Sequence, residues 1–198
     1  MENLIYILLA LTSVVTLTFI VERGWALRWG NVIPVRVEEA VDECRTAADV
    51  PKLRQVCERQ LSALSRLLLV AADQLQWPRA DAEDAVQTRA RHEIVRLERG
   101  LVVLEVVVGI APLMGLVGTI YGMMTLFSGL GQSGLSDNAA LAKGIAVILN
   151  STLAGLLIAI PSLIAWSYFT KKVETLAVEM ETLCGEFLRR QYRGQPEK

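Results

Sequence analysis

Two stretches decide the fold: GIAPLMGLVGTIYGMMTLF at 109–127 and KGIAVILNSTLAGLLIAIPSLIAWSYF at 143–169. Apart from Lys143 they lie in charge-free runs of 106–136 and 144–170, and an earlier run, LIYILLALTSVVTLTFIV, fills 4–21. At ~1.5 Å of rise per helical residue and a hydrocarbon layer of ~30 Å, each run is long enough to cross a bilayer. The chain reads as an all-α membrane protein with three transmembrane helices. The rival reading of the first run, a cleaved signal peptide, needs a basic leader and a small-residue cleavage site; MEN before the run and Glu22-Arg23 after it supply neither.

Working outward, the rest of the composition agrees. Of 198 residues 53% are apolar and 21% charged, with a mean hydropathy of +0.39, so the chain must alternate lipid-buried blocks with charged blocks in water. A net charge of −1 and a pI near 5.9 exclude the electrostatic footprint of a general nucleic-acid binder. Cys44, Cys57 and Cys184 are far apart and His92 is the one histidine. Neither a disulfide scaffold nor a His-based metal or heme site is expected, and no cofactor is called for.

Basic residues resist translocation, so their distribution orients the spans. Arg23, Arg28 and Arg36 follow the first span, Arg89, Arg91, Arg96 and Arg99 precede the second, and Lys171 and Lys172 follow the third. The connection between spans two and three carries only Lys143. The expected order is a first span at 1–22, a cytoplasmic helical segment at 23–100, a second span at 101–130, a short periplasmic loop at 131–142, a third span at 143–170 and a cytoplasmic C-terminal helix at 171–198. The N-terminus is then periplasmic and the C-terminus cytoplasmic.

Helical periodicity continues outside the bilayer. Val37, Ala40, Val41 and Cys44 share one face; Leu53, Val56, Cys57, Leu61, Leu64, Leu67 and Leu68 form a second stripe, with Pro51 between the two helices and Trp77-Pro78 ending the second. From Ala80 to Leu130 the pattern predicts one helix running through Gly100 into the second span. The third span is expected to run on inward, with Val173, Leu176, Ala177, Met180, Leu183, Cys184 and Phe187 on its apolar face.

Within the spans, Gly109, Ala111, Gly115, Gly118 and Gly122 mark close helix approach. Thr12, Thr16, Thr119, Thr125, Asn150, Ser151 and Thr152 are the polar groups at depth. The plain reading of an intramembrane Thr is a hydroxyl bonded to its own helix, but three consecutive polar residues at 150–152 call for a partner or water. Glu105 stands alone in LVVLEVVVG, where it either pairs with an arginine or guides cations at a cytoplasmic mouth. Pro112 and Pro161 each free a carbonyl one turn upstream, making a static kink or a hinge. His92, in ARHEIVRLERG, reads as a solvated surface residue.

The two opening strings closely resemble the second and third spans of the ExbB, TolQ and MotA proton-channel family, whose patterns are APLLGLLGTVxGMIxxF and GIxxALxTTxxGLxxAIPxxxxYNxF. The Glu22-Arg23 ending of the first span also resembles that family, and three spans suit its ExbB and TolQ branch. The resemblance implies a homopentamer in the bacterial inner membrane around two single-span ExbD- or TolR-like partners. The partner carries an essential aspartate, and proton flow drives a periplasmic arm such as a TonB-like protein. It places Thr119 and Thr152 beside that aspartate, with Asn150 and Ser151 in the same ion path, and makes Gly115, Gly118, Gly122 and Gly155, with Pro112 and Pro161, the packing and kink positions. Many ExbB proteins have a glutamate where this chain has Val147, so Asn150 or Glu105 would have to replace it.

The chemistry points the same way. A subunit with hydroxyls but no titratable group at mid-depth cannot relay protons alone, so another chain must supply the carrier. With no His, Cys or Asp inside a span, an intramembrane enzyme lacks its nucleophile, base or metal ligands. A non-conducting structural or sensory scaffold and a Tol-type envelope-maintenance motor are the remaining alternatives, and the choice of proton or sodium stays open.

Overall fold

The computed structural model describes residues 2–133 and 138–193. It is all-helical, 89% helix with no strand among the described residues. The helices are α1 (Glu2–Ala26), α2 (Trp29–Val32), α3 (Val35–Glu43), α4 (Val50–Arg59), α5 (Ala63–Asp73), α6 (Arg79–Glu98), α7 (Leu101–Ser133) and α8 (Asn138–Gln191), with a 3-10 turn at Ala47–Asp49. Among the described residues three segments are long and apolar enough to cross a membrane: Leu4–Ala26, Leu101–Gly129 and Gly144–Gln191. Of the expected loop at 131–142, residues 134–137 lie outside the described residues.

The chain divides into two compact units, residues 1–23 with 100–168 and residues 24–99 with 169–198. In the first, α1 buries a thin stripe: Leu9 and Thr16 are buried and Ile5 and Thr12 half-buried, which is helical i, i+4, i+7, i+11 spacing. The rest of α1 and the outer faces of α7 and α8 expose Leu8, Leu11, Leu17, Leu113, Leu116, Ile120, Leu157 and Ile164. Such a surface is stable only against lipid or apolar partner chains.

The second unit has an ordinary soluble core. Val37 and Val41 of α3, Leu53 and Cys57 of α4, Leu64, Leu67 and Leu68 of α5 and Ala82, Val86 and Ala90 of α6 close around Leu176, Met180, Leu183, Cys184, Phe187 and Leu188 of α8. The end of α8 is fastened by polar contacts. Arg190 Nη1 donates to the Val41 carbonyl at 3.1 Å, capping α3, and the Tyr192 hydroxyl donates to the Trp77 carbonyl at 2.9 Å. All three cysteines are free and buried. Burial pushes the Cys57 thiol up to about 11 and that of Cys184 up to about 12, so neither is a nucleophile at neutral pH.

Three expectations are corrected. The helix from Ala80 to Leu130 is broken: α6 ends at Glu98, Arg99 turns extended at ψ 121°, and Gly100 takes φ +96°. That angle suits glycine, and a Cβ there would lie 3.0 Å from Nε of Arg23, so the side chain of α1 occupies the space of the missing methyl. The stripe from Leu53 to Leu68 is two helices, because the Ser62 hydroxyl accepts from Ser65 N at 3.1 Å and starts α5 afresh. Pro51 does not separate helices; it sits in the first turn of α4, where a missing N–H costs nothing, and the separation falls at Arg45 and Thr46.

Candidate functional site: the α7–α8 crossing

At Gly115 of α7 and Gly155 of α8 the two helices meet backbone to backbone. A Cβ on Gly155 would lie 2.6 Å from the Ala111 carbonyl oxygen and 3.2 Å from Gly115 Cα; one on Gly115 would lie 3.0 Å from the Ser151 carbonyl oxygen and 3.2 Å from Thr152 Cα. Further along, Gly122 faces Ile148 and Gly144 faces Leu126, so the two helices run antiparallel with 111 against 155, 115 against 151–152 and 122 against 148. Hydrophobic burial alone cannot hold helices together in lipid, and this close approach supplies the dispersion contact that does. Both helices continue through Pro112 and Pro161; beside the latter, the buried Ser162 hydroxyl donates to Ile158 O at 2.7 Å.

Side chains follow from that register at about 100° per residue. Taking Ser151 and Gly155 of α8 and Gly115 and Gly118 of α7 as the facing positions, Thr152 and Thr119 both turn to the same flank of the helix pair. Both are half-buried, and Thr152 Cα lies against Gly115, one turn from Thr119 along α7. The opposite flank holds Tyr121 and Val147, and there α1 lies across the pair with Ile5 and Tyr6. The two threonines therefore share the flank that α1 leaves uncovered.

The consecutive polar residues face different surroundings. Asn150 and Thr152 are two residues apart, about 200° around the helix, and Asn150 is exposed on the side away from Thr119. Ser151 is buried at 2% exposure, its hydroxyl directed at Gly118, where a Cβ would lie only 1.7 Å from Oγ. The Thr119 hydroxyl donates to Leu116 O at 2.7 Å, Thr125 to Gly122 O at 2.9 Å, and Thr12 and Thr16 each to the carbonyl four residues back at 2.8 Å. Each still accepts through its oxygen. Glu105 is exposed on α7 with no ion pair among the described residues, and His92 is exposed on α6.

Sequence reasoning passed over Glu93. It is 1% exposed and holds three arginines: Arg66 Nε at 2.9 Å and Nη2 at 2.6 Å, Arg89 Nη2 at 2.9 Å and Arg96 Nη1 at 3.8 Å. Burial on its own would raise its pKa, but the hydrogen bond and charge of Arg66, with Arg89 and Arg96, outweigh that and hold the carboxyl below the usual range. Tyr6 and Tyr121 were also passed over. Their signal was proximity to the Ser151 face, visible only once the three spans are registered.

No group of three or more His, Cys, Asp or Glu side chains could hold a metal among the described residues.

Comparison with known proteins supplies the family. The MotA/TolQ/ExbB proton channel family matches residues 52–182, which covers α4 through most of α8. The chain is 31% identical over 164 residues to an ExbB-like biopolymer transport protein of Synechocystis sp., an alignment covering 80% of this chain and 63% of that protein. It is 32% identical over 90 residues to the biopolymer transport protein ExbB of Aquifex aeolicus, covering 46% of this chain and 61% of that one. To the Tol-Pal system protein TolQ of Pseudomonas aeruginosa it is 36% identical over 103 residues, covering 52% and 45%. The chain spans less than two thirds of the length of these relatives. A family match over more than half of the sequence, on a helical frame with three membrane-length helices, places this chain in the MotA/TolQ/ExbB proton channel family.

Proposed function

We propose that the chain is the channel-forming subunit of a proton-driven motor in the bacterial inner membrane. Five copies surround two helices of an ExbD- or TolR-like partner, and ion flow is converted into work on a periplasmic or outer-membrane system, with TonB-dependent import the first candidate. The observation that carries this reading is the shared open flank of Thr119 and Thr152. Two hydroxyls at similar depth, turned away from α1 and without a titratable group of their own, suit a surface that solvates a carboxyl supplied by another chain. The organisation proposed with it keeps spans at 1–22, 101–130 and 143–170, a periplasmic N-terminus and connection at 131–142, and cytoplasmic segments at 23–100 and 171–198. The likeness to a TolQ protein favours envelope maintenance as the second reading.

In this arrangement Thr119, already donating to Leu116 O, accepts from the partner's neutral carboxylic acid, and Thr152 donates to the charged carboxylate. Ser151 backs the path from within the crossing, and Asn150 faces a different neighbour. Thr152→Val keeps the shape and removes the hydroxyl. Ion-driven activity of the purified complex is expected to fall by one to two orders of magnitude, equivalent to ~1 to 3 kcal/mol for one lost hydrogen bond to a charged group, with assembly intact. Thr119→Val acts in the same direction and less strongly, because its proton is already engaged. Unchanged activity in both variants contradicts the assignment, and dissociation of the complex points to helix packing as their role.

Glu105, exposed near the start of α7, is assigned to assembly at the cytoplasmic end of the cavity rather than to conduction. Glu105→Gln is expected to keep more than about a third of the activity and to lower the stability of the complex by ~1 kcal/mol, the worth of a solvated ion pair. Loss of transport in an intact complex moves Glu105 into the ion path.

A further inference from the structure

Ser151 presents an unsolved problem inside its own subunit. Its Oγ is buried with no hydrogen-bond partner, although a serine in a helix ordinarily bonds the carbonyl four residues back. It borders a small cleft of about 10 Å³ between the three spans, lined by Ile5, Tyr6, Gly118, Tyr121, Val147 and Ser151. That space is at the lower limit for one water molecule. Three of the six lining residues carry hydroxyls, one on each of α1, α7 and α8, and none carries a charge. An apolar void would stay dry, whereas a buried hydroxyl left bare is penalised.

We infer that this cavity is a binding site for a single internal water, held by the Ser151 hydroxyl and reaching the tyrosine hydroxyls of α1 and α7. A metal cation does not suit it, since no carboxylate lines the space to offset the charge. The absence of a side chain on Gly118 makes the room, because the Ser151 hydroxyl occupies the place of its missing Cβ. The water ties the first span to the α7–α8 crossing by hydrogen bonds that can exchange partners, on the flank opposite Thr119 and Thr152. The site shares only Ser151 with the proposed ion path, opens on the other flank and does not rest on that path.

The test is electron microscopy of the full assembly at a resolution that shows ordered water, joined to thermal unfolding of Ser151→Ala, Tyr6→Phe and Tyr121→Phe. A density peak within ~2.7 to 3.2 Å of Ser151 Oγ is expected, absent from the Ser151→Ala map. Ser151→Ala should lower Tm by about 2–4 °C, and adding a tyrosine substitution should cost less than it does alone, because the shared water has already gone. An empty cavity in a map that shows other internal waters overturns the proposal. So does a Tm that rises in Ser151→Ala, the signature of removing a dry, unpartnered hydroxyl.

Discussion

Gly155→Leu is expected to prevent the α7–α8 pair from closing. Even the Cβ of an alanine at this position would lie 2.6 Å from the Ala111 carbonyl oxygen, and that oxygen belongs to a helix backbone that cannot rotate aside. Gly155→Ala should cost ~1 to 3 kcal/mol of stability, while the larger leucine should leave little folded protein in the membrane. Gly118→Ala is expected to fall between these and wild type: the Ser151 hydroxyl it meets can swing to its own helix carbonyl, but Ser151 Cβ at 2.8 Å cannot, so the helices must part slightly. Gly185→Ala is the control: its Cβ position is open within the chain, and alanine suits a helix better by ~1 kcal/mol. Folded yield and thermal unfolding of detergent-purified protein order the four variants, and a stable Gly155→Leu protein contradicts the crossing.

Glu93→Gln is the other substitution with a large expected effect. It leaves Arg66, Arg89 and Arg96 facing one another without the carboxylate that separates them. Breaking a buried ion pair by removing one partner costs ~3 to 5 kcal/mol, but these arginines are 29–63% exposed and water recovers part of that, so about 2 to 3 kcal/mol is expected. The pH dependence has a fixed sign. Because the folded-state pKa of Glu93 is lowered, its contribution is complete above the ordinary glutamate value of ~4.3 and is lost as pH falls through the lowered value. The wild-type protein should therefore lose stability over that acid range by more than Glu93→Gln does, as read by tryptophan fluorescence during denaturation. Parallel curves for the two proteins would remove the ion cluster from the account.

The spans were legible because bilayers demand long charge-free runs, and the inward stripe on α8 because Leu176, Met180, Leu183 and Phe187 keep helical spacing. The break at Gly100 was not. A glycine within a helical pattern costs only ~1 kcal/mol, and the Arg23 side chain that fills the space of its missing Cβ at φ +96° lies 77 positions away in sequence. Glu93 was hidden for a related reason: in ARHEIVRLERG it looks like any other charge on a solvated face until α5 brings Arg66 to it. The polar run at 150–152 divides once the helix is formed. Neighbours in a helix diverge by about 100°, so Asn150, Ser151 and Thr152 face three different surroundings, and only the glycine contacts with α7 say which is which. Position in the candidate site is set by register between spans, which composition does not encode.

The most direct test of the central claim is proton flux. The chain and the proposed ExbD- or TolR-like partner are reconstituted together in liposomes with a pH-sensitive dye inside, and a pH gradient or membrane potential is applied. The account predicts proton entry only when both chains are present, abolished by replacing the partner's membrane aspartate with asparagine and reduced tenfold or more by Thr152→Val. Equal flux from this chain alone, or undiminished flux through the aspartate-less complex, would contradict it.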